Sequence, residues 1–191
     1  MKINKEKMKF IGEGAEKKVY VNPNNPDSVI GVFHESMEES SEFVKARFYL
    51  TKILHLLFPE NIPEIHAAAS DPYVIVTDKV EDSTRSFTLA ERSGKAFGDL
   101  KAKLDLVGVA FDDFAGNLKF DKNGDLFYVD SFEPWLVGKN FISKPQFNKE
   151  KMEAAIQNLD DDKKELALSY FKRLDEMYNK ALSDRLGKRA K

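Results

Sequence analysis

The chain predicts an α+β fold in two lobes, an antiparallel sheet with one helix followed by a mainly helical remainder. Three observations carry this. Runs rich in β-branched residues, each about five residues long, crowd residues 1–80 and are separated by Gly, Asn, Pro and Asp clusters, the pattern of hairpins. Within them one longer stretch, from Ser40 to Phe58, repeats its apolar residues at helical spacing. In the last forty residues, Leu166, Tyr170, Leu174, Met177 and Leu182 form an apolar stripe on an otherwise charged segment, as on a surface helix.

Taken in order, Lys7 to Ile11 and Lys17 to Val21 read as two strands joined by the turn GEGAE. Asn22 to Asp27, NPNNPD, is a turn by its side-chain chemistry, and Ser28 to Phe33 is a third strand. Ser40 or Ser41 caps the helix that carries Phe43, Ala46, Leu50, Ile53, Leu54 and Leu57, and Pro59 stops it. Ile62 to Ala69 and Tyr73 to Thr77 form a hairpin around SDP. Polar residues after Asp78, through Lys79, Glu81, Asp82 and Ser83, mark the hinge, which divides residues 1–80 from 81–191. A helix with weak Gly interruptions spans Leu89 to Leu106. Strands Leu118 to Phe120 and Leu126 to Val129 flank the turn DKNGD. Two helices, Glu150 to Asn158 and Asp162 to Leu186, complete the chain.

Composition bounds the function. At 191 residues, with 42% hydrophobic and 32% charged content, the chain can bury one sizeable core or two small ones, which excludes a disordered or collagen-like protein. A net charge of -2 supplies no global field toward nucleic acid or anionic membrane, so neither is an expected partner. The basic end, Arg185 to Lys191, reads as a short solvated tail. The absence of cysteine excludes a disulfide framework and thiol chemistry and is compatible with a reducing cytoplasm, the expected location. The start, MKINKEKMKF, has no apolar signal core, and the apolar cluster Ile53 to Phe58 is far too short to span a bilayer.

The most informative stretch is Phe111 to Phe132, FDDFAGNLKFDKNGDLFYVDSF. It sets Asp112, Asn117 and Asp130 around a loop and a hairpin, a set of hard oxygen ligands on constrained backbone. Near the start, IGEGAEKKVY places Gly12 and Gly14 in a turn between strands, where bare backbone can approach a phosphate closely; a tight hairpin turn would use the same glycines.

Together these segments resemble the protein-kinase-like superfamily over most of residues 7–132. Asp112 and Asn117 have the spacing of H-R-D-L-x-x-x-N, Asp130 ends its strand as the Asp of D-F-G does, and Gly12, Gly14 and Val19 match G-x-G-x-x-G-x-V. The loop DDFAGN is closer to the H-G-D-x-x-x-x-N pattern of the aminoglycoside-phosphotransferase branch. The resemblance implies a two-lobed kinase-like fold with an antiparallel-sheet N-lobe and a reduced helical C-lobe, holding ATP and Mg²⁺ between them. By the same resemblance Asp112 would orient or deprotonate an acceptor hydroxyl, and Asn117 and Asp130 would bind the metal.

The departures are equally specific. Gly31 stands where V-A-I-K carries its phosphate-binding lysine, and Arg47 or its neighbours fall near the expected helix glutamate. The with-no-lysine kinases resemble this arrangement, because their lysine comes from the Gly-rich strand, in G-x-G-x-x-K-x-V-Y register. Lys17 occupies that position here, Lys18 on the opposite face of the strand is the alternative, and both as solvated hairpin lysines is the remaining option. Ala110 and Phe111 replace the loop histidine and the residue after it, Asp130-Ser131-Phe132 replaces D-F-G, and beyond Trp135 there is no A-P-E segment, only a small helical remainder. The expected function is ATP- and magnesium-dependent phosphoryl transfer to a hydroxyl of a small molecule or protein. The alternatives are a pseudokinase acting as a nucleotide-binding or interaction module, and nucleotidyl transfer with ATP reversed.

Other constellations are weaker. Asp121, Asn123 and Asp125 begin like a calcium loop, but Gly124 comes early and Phe132 stands at the twelfth position, so a hairpin turn explains them better. His34, His55 and His66 lack zinc-ligand spacing. The 15 phenylalanines follow core periodicities and do not alternate with basic residues as a base-stacking platform would.

Overall fold

Five short strands, the central ones apolar on both faces, build one side of the molecule. The computed structural model describes residues 8–35, 40–81, 87–138 and 141–189. β1 (Phe10–Glu13), β2 (Lys17–Val21), β3 (Ser28–Phe33), β4 (Ile65–Ser70) and β5 (Tyr73–Asp78) form a five-stranded antiparallel sheet in the order β1-β2-β3-β5-β4. β2 and β3 pair without a slip, Lys17 opposite Phe33 and Val19 opposite Gly31. One face buries Tyr20, Ile30, Val32, Val74 and Val76; the other buries Phe33, Ile65, Tyr73 and Ile75 against Val44 of α1 (Ser41–Leu57). The first strand lies further along than the sequence predicts, with a bulge between Phe10 and Gly12, and Lys7 falls outside the described residues. The fourth strand starts at Ile65 because Pro63 offers no ladder donor and Ile62 instead closes the helix end, its N–H donating to Phe58 O.

The Ser40 hydroxyl accepts from Phe43 N at 3.2 Å and caps α1, as the sequence predicts. Its Ala46, Leu50, Ile53 and Leu54 are fully buried in a second, larger core. That core is shared with Leu100 and Leu104 of α2 (Lys95–Leu106), Met152 and Ile156 of α3 (Lys149–Ile156), and Ala167 and Leu174 of α4 (Asp161–Arg189). α1 therefore serves both the sheet and the helical layer. No helix among the described residues is long and apolar enough to cross a membrane.

Two further differences have local causes. The segment Leu89 to Leu106 is not one helix but a 3-10 turn, Leu89–Ser93, followed by α2, because Gly94 is extended (φ -78°, ψ 157°) and breaks the run. After β6 (Leu118–Phe120) and β7 (Leu126–Tyr128), a hairpin of β8 (Trp135–Gly138) and β9 (Phe141–Pro145) precedes the last helices, where only helix was expected.

Gly108 joins α2 to the loop that carries Asp112. It adopts φ +64°, and an added Cβ would lie 2.5 Å from Asn148 Cβ. Asn148 is itself the cap of α3, its side chain accepting from Lys151 N. Gly108→Ala is expected to cost roughly 1–3 kcal/mol, read as a lower urea midpoint at unchanged slope.

Ion pairs also tie the layers. The Lys180 ammonium donates to Glu42 at 2.6 Å, linking α4 to α1, and Lys52 donates to Glu64 at 2.7 Å. These bonds hold both carboxyls below the ordinary 4.5. Because the folded-state pKa values are depressed, their stabilisation is complete above the unfolded value and is lost as pH falls through the folded ones. Urea midpoints measured downward from pH 6 should therefore drop below about pH 4.5, with a shallower drop in a Lys52→Met/Lys180→Met double variant.

Candidate functional site

The period of two along β2 separates two adjacent lysines onto opposite faces. Lys17 turns toward the sheet face that looks onto the helical layer, where a cavity of about 520 Å³ opens. Its ammonium lies 2.6 Å from Asp130 Oδ1 and 3.2 Å from Ser131 Oγ, and 5.5 Å from the Phe33 ring centroid. Lys18 turns away and pairs with Glu13 at 3.4 Å, with nearly half its side chain exposed. Gly31 explains how Lys17 reaches inward: a Cβ there would meet Lys17 Cδ at 3.3 Å and Ile75 Cγ1 at 3.2 Å, so the bare glycine leaves the channel along which the lysine stem runs.

Gly12 and Gly14 also line the cavity. An added Cβ at Gly12 would meet nothing within 4 Å, and at Gly14 only Lys17 O at 4.0 Å. Among the described residues the glycines with positive φ are Gly108 and Gly124, so neither left-handed backbone nor packing demands glycine at 12 or 14. What their lack of side chains does provide is open backbone over the cavity. His34 steadies this turn, its ring Nε2 lying 3.3 Å from Gly14 O.

The opposite wall comes from the segment singled out in the sequence. Asp112, Asn117 and Asp130 all line the cavity. Asp112 Oδ1 accepts from Phe114 N at 3.1 Å, which closes the loop on itself, and Asn117 Nδ2 faces Asp112 Oδ2 at 3.4 Å. Val129 N donates to Asn117 O at 2.8 Å, which fixes the loop beside the residue preceding Asp130. Asp113, by contrast, is held outside: Arg92 donates to its carbonyl at 2.7 Å and to its Oδ1 at 3.1 Å. The two neighbouring aspartates are thus separated by their partners.

Tyr128 and Arg47 are among the cavity residues that the sequence did not single out as site residues. Tyr128, 2% exposed, read simply as a strand residue. Burial pushes its phenol far above the ordinary 10, and the Asp130 carboxylate adds to the shift, so the hydroxyl stays neutral. Arg47 projects from α1 into the cavity at 3% exposure, its Nη1 donating to Tyr73 Oη and its Nη2 4.0 Å from Glu133 Oε1. The available signal was its phase, since an arginine four residues after Phe43 and three before Leu50 lies on the buried stripe.

Asp112, Asn117 and Asp130 bring two carboxylates and an amide to the cavity lining, the oxygen chemistry that suits Mg²⁺. The ceiling opposite is apolar, from Val19, Val29, Ile65 and Ile75. A separate group, Glu64, His66 and Asp78, brings potential ligand atoms within 4.8 Å of one another, but Lys52 binds Glu64 and His66 binds Asp78 at 2.7 Å. The turn at Asp121 is likewise accounted for by bonds to its Oδ1 from Asn123 N and Asp125 N. No protein-family model matches the chain and no curated protein matches it in sequence.

Proposed function

We propose that the cavity takes the magnesium complex of ATP and that the chain is a phosphotransferase of two-lobed protein-kinase-like architecture, acting on a hydroxyl of a small molecule or a protein. The observation that carries this reading is the Lys17–Asp130 contact, 113 residues apart in sequence, inside a cavity that also gathers Gly12, Gly14, Asp112 and Asn117. A structural ion pair needs none of the other four.

In this reading each side chain has a distinct task. Asn117 and Asp130 hold the metal, which when bound neutralises charge on the phosphate oxygens. Lys17 leaves Asp130 for the phosphates, and the open backbone at Gly12 and Gly14 lets their oxygens approach amide donors. Asp112 accepts a hydrogen bond from the acceptor hydroxyl, orients it and takes its proton. The apolar ceiling packs against a flat base.

A second reading, an interaction module without catalysis, is favoured by one feature: Lys17 and Asp130 already neutralise each other at 2.6 Å. Thermal unfolding with ATP, with and without Mg²⁺, tests the nucleotide site, and release of ADP from ATP in the presence of acceptor then separates catalysis from binding alone. Phosphotransferase function predicts a metal-dependent rise in melting temperature, equivalent to about 2.7 kcal/mol at a hundred times Kd, and loss of that rise in Lys17→Ala but not in Lys18→Ala. No shift at millimolar nucleotide would leave the interaction module.

A further inference from the structure

We infer that Arg47 is a second anion-binding group of this cavity, which holds the ligand's phosphates together with Lys17, and that the Glu133 carboxylate, outside the cavity lining, is its loosely held counter-ion until the ligand enters. The identity of the ligand rests on the nucleotide reading above; the anion-binding role of Arg47 rests on its own surroundings.

The guanidinium is almost entirely buried, yet it is poorly paired. Among the described residues its Nε has no hydrogen-bond partner, and the carboxylate paired with it, Glu133, stands at 4.0 Å, beyond hydrogen-bond range. Tyr73 takes one N–H, and the Phe33, Phe43 and Tyr73 rings lie 5.0 to 5.7 Å from the guanidinium carbon. Rings of this kind stabilise a cation but accept no N–H bond in the guanidinium plane. A buried charge retained with unused donors is costly unless an anion completes it.

The location matches the need. Arg47 and Lys17 each lie 5.5 Å from the Phe33 ring centroid and both line the cavity, so one aromatic ring neighbours both cations. A planar fork and a point charge are complementary there, the first gripping two oxygens of a phosphate and the second following a neighbouring one. Glu133 is suited to leave. Its side chain is 43% exposed, it does not line the cavity, and burial with the nearby Glu16 and Asp130 carboxylates raises its pKa against the pull of Arg47. The position that resemblance would give to a helix glutamate thus carries a cation, with its carboxylate partner on the segment after Asp130.

Calorimetric titration of the full chain with magnesium-ATP and, separately, with inorganic tripolyphosphate tests this in wild type, Arg47→Met, Arg47→Lys and Glu133→Gln. Arg47→Met should weaken both ligands tenfold or more, Arg47→Lys should recover part of the loss, and Glu133→Gln should tighten both several-fold. If Glu133→Gln instead weakens binding, the pair is a structural brace and the inference fails. It also fails, alone, if wild type binds nucleotide and Arg47→Met binds it equally. Should Arg47→Met not fold, by its circular dichroism, the sign of the Glu133→Gln effect decides. Wild type that binds neither ligand overturns both readings; Arg47-dependent binding of tripolyphosphate without nucleotide overturns only the nucleotide reading.

Discussion

Asp130→Asn is expected to abolish magnesium-dependent nucleotide binding and any phosphoryl transfer while leaving the fold in place. The substitution keeps size and shape but removes the charge that would hold the metal and that now holds the Lys17 ammonium at 2.6 Å. A preorganised charged group in a partly enclosed site is worth on the order of a hundredfold or more in rate, so activity should fall to background. Stability should fall by about 1–3 kcal/mol, because the Lys17 side chain is only 13% exposed and keeps Ser131 and the Phe33 ring as its other neighbours. Asp113→Asn supplies the comparison: its carboxylate pairs with Arg92 outside the cavity, so nucleotide binding should be unaffected. Binding measured with and without Mg²⁺ for the two variants decides the matter. Equal, small effects would remove Asp130 from the metal site.

How much of this was legible in the sequence depended on whether the determining physics is local. β2 and β3 begin and end where the sequence places them, because strand alternation and the Asn-Pro-Asp turn between them are local signals. α1 is capped by Ser40 for the same reason. The break before α2 was harder. Gly94 lies in a sequence of helix-compatible residues, and its extended conformation is set by the turn it ends, not by composition. The β8–β9 hairpin was missed since its segment lacks a strong two-residue turn signature and is short. At the site, spacing could bring Asp112 and Asn117 together, since they share a loop. It could not place Lys17 on Asp130 across more than half the chain, and it favoured Lys17 over Lys18 only through the Gly-rich-strand register that the resemblance supplies. The sheet register and the missing side chain at Gly31 settle which lysine enters the cavity. Arg47 was hidden by a different cause: a buried cation can be argued only from what surrounds it, and its surroundings come from β3, β5 and the segment after Asp130.

Trp135→Ala should have the largest effect on stability, a loss of about 3–5 kcal/mol. The indole is 1% exposed and fills the space between α1 and α4, edge-on to Phe43 at 5.6 Å and tilted against Tyr178 at 5.5 Å. No neighbour can collapse into a void of that size, since the surrounding positions are held by helices that pack on other partners as well. The consequence reaches the cavity through the chain. Between Tyr128 and Trp135 the backbone is pinned by three buried aromatic side chains, Tyr128, Phe132 and Trp135, and Asp130, Ser131 and Glu133 are the polar residues between those anchors. Releasing the last anchor loosens the segment that aims both carboxylates. Trp135→Ala should therefore show a lower urea midpoint by circular dichroism and, under conditions where it remains folded, weaker magnesium-dependent ligand binding. Trp135→Phe, which keeps an aromatic ring between Phe43 and Tyr178, should recover most of the binding and part of the stability. If Trp135→Ala lost stability but bound ligand as wild type does, the anchors would serve the core alone and Asp130 would be positioned by the β7 hydrogen bonds, Val129 N to Asn117 O and Tyr128 N to Asn61 O, by themselves.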